Sequence, residues 1–439
     1  MPRPPLLRNL RHRDDRAILA LAVPALGALA ADPLYSIVDT ALVGHLGAPE
    51  LGGVAVGTAA FTASFWIFSF LAYGVTPSVA RALGSGDEEG AAAVGVQALF
   101  LALGLGVGVT LLGVLYAEQI VGFFGAEGRV ADLATPYLRI RSLAAGAVLI
   151  GQVGHGWLRG SQNTRTPMFV AVSGATVNAL LAYVLIYPAG YGIEGAAWAV
   201  VIAQWGTALV FLGILRKRLA AVPARPNLGV ARSLLRVGGD LVVRTGALLA
   251  ALTLATSVAA RMGVVALGSW QVAMQIFLLL SFTQDAVAIA GQALVASYLG
   301  QRKPAEAMAV GRRLMSWGVV AGLALGVVIF LFREPIAGIF TDDEEVNAAA
   351  AGLIAWIALI QPISAAAFTL DGILIGASDT RFLAKAMVGC SVLFAAVSLV
   401  ALDLEWGTGG LALGASLWLA ARAGTTGARF VRGRWALQS

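Results

Sequence analysis

Twelve long apolar segments, separated by short polar connections, fill most of this chain. Each is at least as long as the roughly 20 residues that an α-helix needs to cross a bilayer. A mean hydropathy of +0.82 and a charged fraction of 12% exclude an ordinary soluble enzyme, in which about 25% of residues are charged. We therefore predict an all-α membrane protein with twelve transmembrane helices. The predicted spans are residues 16–43, 51–80, 91–116, 133–158, 166–189, 194–215, 232–259, 267–297, 307–332, 349–374, 382–403 and 409–430.

The basic residues predict how the chain is oriented. Twelve spans place both termini on one side, and 24 of the 30 Lys and Arg residues fall on that side, against five on the other. Only Arg244 is counted inside a span. Basic connections stay in the cytoplasm, so we predict a plasma (inner) membrane protein with both termini cytoplasmic. The net charge of +6 does not indicate a nucleic-acid partner, because no basic domain stands apart from the apolar segments.

The two halves of the sequence match each other at one constant shift, the repeat shift, which places Gly47 on Gly263. Each half carries six spans, so both insert in the same orientation, related by a pseudo-twofold axis along the membrane normal. We predict two six-helix lobes, residues 1–215 and 232–439, joined by a basic, Pro-containing cytoplasmic linker at 216–231. Further matching pairs are Leu83 with Leu299, Glu118 with Glu334, Gly160 with Gly376, and Arg165 with Arg381.

Motifs for nucleotide or metal chemistry do not occur in the sequence. There is no Gly-x-x-x-x-Gly-Lys-[Ser/Thr], and the three lysines are scattered, so we expect no ATPase site. The three histidines form no His-Glu-x-x-His, which argues against a metal site. We predict no enzyme activity and no cofactor, and we expect transport to be driven by an ion gradient.

Ionisable residues inside predicted spans are candidate functional groups, because a charge within the bilayer costs several kcal/mol. Six residues stand out: Asp32, Asp39, Asp240, Arg244, Asp285 and Asp371.

The first span carries Asp32 and Asp39 two helical turns apart on one face, with Ser36 between them and Tyr35 alongside. A carboxyl group among apolar side chains binds a proton more readily than one in water. We predict that Asp39, with Asp32 as the weaker candidate, binds the coupling ion. Capping of a helix broken by Pro33 is the structural alternative. Asn178 is the best neutral partner, or else a hydrogen-bonding residue between helices.

Polar and aromatic side chains alternate along one face of the second, eighth and tenth spans. We predict that these stripes line a substrate cavity, with packing between helices as the alternative; acids and aromatic rings suit cationic or amphipathic organic molecules. The predicted cavity residues, with Tyr35 and Ser36, are Trp66, Tyr73, Gln271, Gln275, Phe282, Asp285 and Asp371.

Asp240 and Arg244 lie one turn apart and are predicted as an ion pair, with a structural or a coupling role. The alternative partners of Arg244 are Asp371 and Asp285.

Three motifs resemble those of one transporter family. Residues 32–47 (DPLYSIVDTALVGHLG) are similar to the first-helix signature of multidrug and toxic compound extrusion (MATE) transporters. Residues 370–377 (LDGILIGA) resemble the tenth-helix motif of the DNA-damage-inducible F-like branch, and residues 159–167 (RGSQNTRTP) match the loop after the fourth helix.

The resemblance implies cation-driven export of organic compounds by twelve helices in two lobes. It also implies that Asp39 binds the coupling cation, with Asn178 beside it. Some members carry a second carboxylate four residues after that Asn, where this chain has Ala182. We therefore favour protons over Na⁺.

Other functions stay open at this stage. A narrower metabolite or organic-acid exporter fits the same motifs. A lipid-linked precursor flippase would need a wide cationic cavity, for which only Arg244 is counted as a base inside the membrane.

Overall fold

The computed structural model describes residues 14–66, 68, 70–220 and 222–436, of which the side chains of Asp32, Ser64, Phe65 and Trp66 are not described. These residues are almost entirely helical, and no strand occurs among them. The helices of the first half are α1 (Asp15–Gly44), α2 (Ala48–Trp66), α3 (Phe70–Gly84), α4 (Glu88–Leu115), α5 (Ala117–Phe123), α6 (Gly128–Ser142), α7 (Ala145–Gly160), α8 (Arg165–Ile186) and α9 (Gly192–Leu219). Those of the second half are α10 (Leu228–Arg261), α11 (Val264–Gly300), α12 (Pro304–Leu331), α13 (Arg333–Phe340), α14 (Glu344–Gly376), α15 (Thr380–Asp403) and α16 (Gly407–Val431).

Every predicted span coincides with one of these helices or with a pair of them. Among the described residues, nine helices are long and apolar enough to cross a bilayer, and the pair α6–α7, bent by 49°, adds a tenth. The two other predicted spans correspond to α2 with α3 and to α16. Many large apolar side chains are exposed, among them Leu209 on α9 and Leu323 on α12. Such a surface suits hydrocarbon, where helices satisfy their own backbone groups.

The bend between α6 and α7 leaves backbone carbonyl groups that neighbouring side chains satisfy. Thr110 Oγ1 donates to the carbonyl oxygen of Ser142 at 2.8 Å, and Trp205 Nε1 donates to that of Leu143 at 3.0 Å. Ser142 itself donates back to the Leu138 carbonyl at 2.7 Å, a bond that commonly bends helices. The carbonyl groups at the break therefore find hydrogen-bond donors within the protein, which is necessary in a bilayer because no water is available there.

The repeat is visible in the backbone. Residues with a left-handed conformation recur at the repeat shift: Gly47 with Gly263, Gly86 with Arg302, and Gln162 with Ser378. The short helices α5 and α13 also begin at matching positions, Ala117 and Arg333. Each half therefore repeats the turns of the other as well as its helices.

Glycine contacts between helices recur at the same shift. In the first half, Gly156 of α7 lies so close to Ala72 of α3 that a Cβ would meet backbone within 3.0 Å. Its counterpart, Gly372 of α14, lies closer still to Ala288 of α11, where a Cβ would meet backbone at 2.5 Å. Small residues allow membrane helices to approach closely, so the two halves share one helix crossing.

The chain divides into two compact units. The N-terminal unit is Val23–Gly238, and the C-terminal unit comprises residues 14–22 together with 239–436. The first turns of α1 therefore belong with the second half, whereas the predicted lobes assign them to the first. The connection that was predicted at 216–231 is shorter, because α9 extends to Leu219 and α10 begins at Leu228.

A cluster of polar bonds holds the start of α1 within the C-terminal unit. Arg313 of α12 donates to both carboxylate oxygens of Asp15, from Nε at 2.5 Å and from Nη2 at 2.7 Å. Trp317 Nε1 donates to the same carboxylate at 2.8 Å, and Tyr298 Oη lies 3.2 Å from an oxygen of Asp14. Bidentate, partly buried pairs of this kind are stronger than exposed ones.

Replacing Asp15 by Asn should lower the stability of the folded protein by about 1–3 kcal/mol, because it removes the charge from three donors. The melting temperature of the purified protein in detergent measures the change. Asp342→Asn, which removes an exposed carboxylate, is the control. Equal melting temperatures for the two variants would contradict the role given to this cluster.

Candidate functional site

Proline residues interrupt the hydrogen-bond ladder of α1 before it reaches the predicted ion site. Pro24 and Pro33 both lie inside the helix, and each lacks the N–H that the carbonyl one turn earlier would accept. Asp39 follows Pro33 in the same helix, between one and two turns later. The helix is thus weakened on the N-terminal side of the carboxylate.

Asp39 is a buried carboxylate whose hydrogen bonding is incomplete. Its residue is 6% exposed, and its Oδ1 has no hydrogen-bond partner among the described residues. One turn earlier, the Tyr35 hydroxyl is likewise buried without a partner there. Ser36, predicted on the same face, is exposed. A buried acceptor without a donor is costly, so Asp39 stays the candidate for binding the coupling ion.

Arg141 of α6 supplies the positive charge that acts on Asp39 and on Tyr35. Its side chain is buried, and its Nη1 donates to the Tyr137 hydroxyl at 2.6 Å. The guanidinium also lies 5.1 Å from the centre of the Phe61 ring, a cation–π distance. The Tyr137 hydroxyl is in turn 3.2 Å from Thr58 Oγ1.

Asn178 of α8 lines a small cavity in the N-terminal unit. The cavity has a volume of about 80 Å³, enough for a few water molecules. Both atoms of the Asn178 amide group, and Nδ1 of His155, have no hydrogen-bond partner in the described part of the chain. The polar residues of the cavity wall are Tyr35, His155, Asn178, Gln204 and Thr207. The structure therefore brings Tyr35 and Asn178 together, and Asp39 lies one turn beyond Tyr35 on α1.

Asp371 of α14 is, in contrast, a buried carboxylate paired with two arginines. Its Oδ2 accepts from Arg244 Nη2 at 2.5 Å and from Arg422 Nη2 at 2.9 Å. Arg422 lies over the rings of Phe368 and Trp418, 5.0 and 4.8 Å from their centres. Two guanidinium groups neutralise one buried acid, as a low-dielectric interior requires.

The predicted pairing of Asp240 with Arg244 is corrected. Within the described residues the ion pair of Arg244 is with Asp371, and the Asp240 carboxylate accepts from Thr380 Oγ1 at 2.8 Å. Asp371 was one of the two alternative partners predicted for Arg244, and the ion pair joins two helices, α10 and α14.

The other predicted cavity residues are spread over different environments. In the C-terminal unit, Gln271 and Gln275 are exposed, whereas Phe282 and Asp285 are half-buried. Tyr73, in the N-terminal unit, is half-buried. The side chains of Asp32 and Trp66 lie outside the described residues.

A buried polar network joins α11 and α14 beside this stripe. Gln284 Nε2 donates to Gln361 Oε1 at 2.5 Å, and Ser364 Oγ donates to Gln284 Oε1 at 2.9 Å. These side chains make interhelical hydrogen bonds, which was the alternative to a cavity wall for this part of the stripe.

Two buried arginines beside the candidate acids were not among the residues predicted from the sequence. Arg141 and Arg422 are 8% and 2% exposed, although the orientation count assigned both to connections. The orientation count placed Arg244 alone inside a span, yet the predicted spans 133–158 and 409–430 also contain these two arginines. Arg422 lies within the predicted span 409–430, one turn after Trp418, and that position was the available signal. Arg141 likewise follows Tyr137 by one turn.

Comparison with known proteins identifies the family. The MatE family model matches residues 24–184 and 247–400. The protein DETOXIFICATION 44, chloroplastic, of Arabidopsis thaliana is 34% identical over 96% of this chain and 81% of its own length. The chain belongs to the MatE family. It is a multi-pass membrane transporter and not an enzyme, as predicted.

The two matches to the MatE model end at residues 184 and 400, which are counterparts under the repeat shift. Each half therefore carries one copy of the MatE repeat. Among bacterial members, DNA damage-inducible protein F of Escherichia coli (strain K12) is 30% identical over 93% of this chain and 90% of its own length.

Solved structures of MatE relatives confirm the predicted fold class of twelve helices. A MOP superfamily transporter from Pyrococcus furiosus has a TM-score of 0.86 at 22% identity, covering 99% of this chain and 98% of its own. A MATE transporter in a bent conformation has a TM-score of 0.87 at 21% identity, covering 98% and 97%.

Asp39 and Asp371, two of the buried aspartates of this MatE protein, should respond differently to the same substitution. Asp371→Asn should lower stability by at least about 2 kcal/mol, because it leaves two guanidinium groups without their counter-ion. Asp39→Asn should change stability by less than about 1 kcal/mol, since its Oδ1 accepts no bond from the described residues. Melting temperatures in detergent measure both. A larger loss for Asp39→Asn would show that Asp39 is structural.

Proposed function

We propose that this protein exports organic compounds from the cytoplasm in exchange for protons, by alternating access, with Asp39 as the proton-binding residue. The observation that carries the proposal is the buried Asp39 carboxylate with an oxygen free of partners in the described chain. Asp371, the other deeply buried predicted acid, is neutralised by two arginines and is poorly suited to bind a further cation.

The surroundings of Asp39 support a proton rather than Na⁺. A proton needs a single oxygen atom, whereas a metal ion of this kind needs several oxygen ligands. Ala182, one turn after Asn178, packs in an apolar cluster with Val43 and Ile186, so it supplies none. The nearby guanidinium of Arg141 balances the carboxylate when its proton leaves.

A change in the charge of Asp39 provides the switch. When Asp39 is ionised, its attraction to Arg141 holds α1 toward α6; when it is protonated, that attraction disappears. The missing hydrogen bonds at Pro24 and Pro33 allow α1 to bend between the two states. Tyr35 and Asn178, on the wall of the small cavity, connect this carboxyl group to water.

The energy of one proton is sufficient for concentrative export. A charge crossing 100 mV releases about 2.3 kcal/mol, and one unit of pH adds about 1.4 kcal/mol. Together they sustain a gradient of several hundredfold for a neutral substrate. The excess of basic residues on the side of the termini supports a cytoplasmic position for both termini in the plasma (inner) membrane.

Organic acids are a second candidate class of substrate. The observation that favours them is the buried Arg422, whose Nε and Nη1 have no hydrogen-bond partner within the described residues. A guanidinium with free donors binds carboxylates well. Cationic or amphipathic compounds, the class predicted from the sequence, fit the relatives that are named multidrug resistance proteins, such as NorM of Thermotoga maritima.

Transport into inverted, protein-containing vesicles tests the coupling. An imposed pH gradient should drive uptake of a cationic dye in the unmodified protein, and Asp39→Asn should reduce it at least 100-fold, because that side chain cannot exchange a proton. Asp342→Asn, an exposed acid, is the control and should transport normally. Proton-driven uptake at the normal rate by Asp39→Asn would overturn the proposal.

The same vesicles separate the remaining alternatives. Replacing Na⁺ by choline should leave uptake unchanged if protons drive it, and loss of uptake would assign the coupling to Na⁺. Accumulation of a radiolabelled dicarboxylate instead of the dye, abolished by Arg422→Gln, would establish the organic-acid class.

A further inference from the structure

A groove between α10 and α15 of the C-terminal unit lies apart from the buried charges. It has a volume of about 350 Å³ and opens at the surface. Arg381 and Lys385, one turn apart on α15, are exposed on its wall, and Asp240 of α10 lies opposite. Val243 and Val388, 52% and 41% exposed, continue the groove as an apolar surface.

The two basic residues stand where the helix itself disfavours them. Arg381 is the second residue of α15 and Lys385 follows in the next turn. The positive end of the helix dipole is at this N-terminus, so cations there are destabilising and anions are favoured. Neither side chain forms a hydrogen bond or an ion pair with the described residues.

The acid at the helix start does not compensate for them. The carboxylate of Asp379, the residue before α15, caps no backbone N–H of the helix and instead accepts from Arg429 Nε at 2.6 Å. Asp240 is held by Thr380. The groove wall therefore carries two cations and one anion. The N-terminus of α15 beside it receives no capping hydrogen bond from the side chain of Asp379.

The internal repeat shows that this groove is not part of the shared framework. The first-half counterparts of Asp240 and Lys385, at the repeat shift, are Pro24 and Phe169. Only Arg381 has a basic counterpart, Arg165. The shared framework therefore does not require both charges, and they are a feature of this groove alone.

We propose that this groove binds one anionic phospholipid. Its phosphate lies between Arg381 and Lys385 at the start of α15, and its acyl chains lie on Val243 and Val388. Asp240 accepts a hydrogen bond from a head-group hydroxyl, as phosphatidylglycerol offers. Basic pockets between membrane helices at the cytoplasmic surface commonly bind anionic head groups. The proposal is independent of the transported substrate and of the coupling ion.

Binding of phosphatidylglycerol to the purified full-length protein, measured by native mass spectrometry, tests the site. Arg381→Gln with Lys385→Gln should weaken binding roughly 30-fold, because each basic side chain near a membrane contributes roughly fivefold. The matched control is Arg216→Gln with Lys217→Gln, an exposed pair at the end of α9, which should bind within twofold of the unmodified protein.

Two further arms distinguish a built site from diffuse attraction. Val388→Trp should also weaken binding although it keeps both charges, because the indole fills the acyl-chain surface. Phosphatidylcholine should bind much more weakly, and soluble glycerol phosphate should not displace the lipid. Equal losses in the two double variants, equal binding of phosphatidylcholine, or complete displacement by glycerol phosphate would overturn the proposal.

Discussion

The cost of placing a charge among apolar helices governs how this structure is organised. Each buried ion must find a counter-ion or hydrogen-bond donors inside the protein. Asp371 does so through Arg244 and Arg422, and its site is saturated. Asp39 does so incompletely, with Arg141 as the nearby charge and one oxygen without a partner in the described chain. That difference is the reason why we propose Asp39, and not Asp371, as the residue that changes its protonation.

The two halves share a backbone but differ in chemistry. Turns and glycine contacts recur at the repeat shift, whereas the buried charged positions do not. The counterpart of Asp371 is His155, in the small polar cavity, and the counterparts of Arg141 and Asn178 are Ile357 and Phe394. A repeated framework therefore carries different charged residues in its two halves, because small residues at the crossings allow the helices to pack closely whatever the charges are.

The sequence predicted best those features of the fold that depend on a single physical property of each residue. Apolar length predicted the helices, and the constant shift predicted the repeat, down to Gly47 and Gly263. The sequence predicted the partners of charged residues less well, because a position along a helix does not reveal which neighbouring helix a side chain contacts. Arg244 was therefore paired first with Asp240, its neighbour in sequence, and Asp371 was only one of its alternative partners. Arg141 was counted with a connection although the predicted span 133–158 contains it.

Infrared difference spectroscopy of the reconstituted protein tests the proton-binding role of Asp39 most directly. Acidification should produce the C=O stretching band of a protonated carboxylic acid in the unmodified protein. That band should be absent in Asp39→Asn and present in Arg216→Gln, which leaves every acid intact. A protonation band that survives in Asp39→Asn would contradict the account, since the titrating carboxyl group would then lie elsewhere.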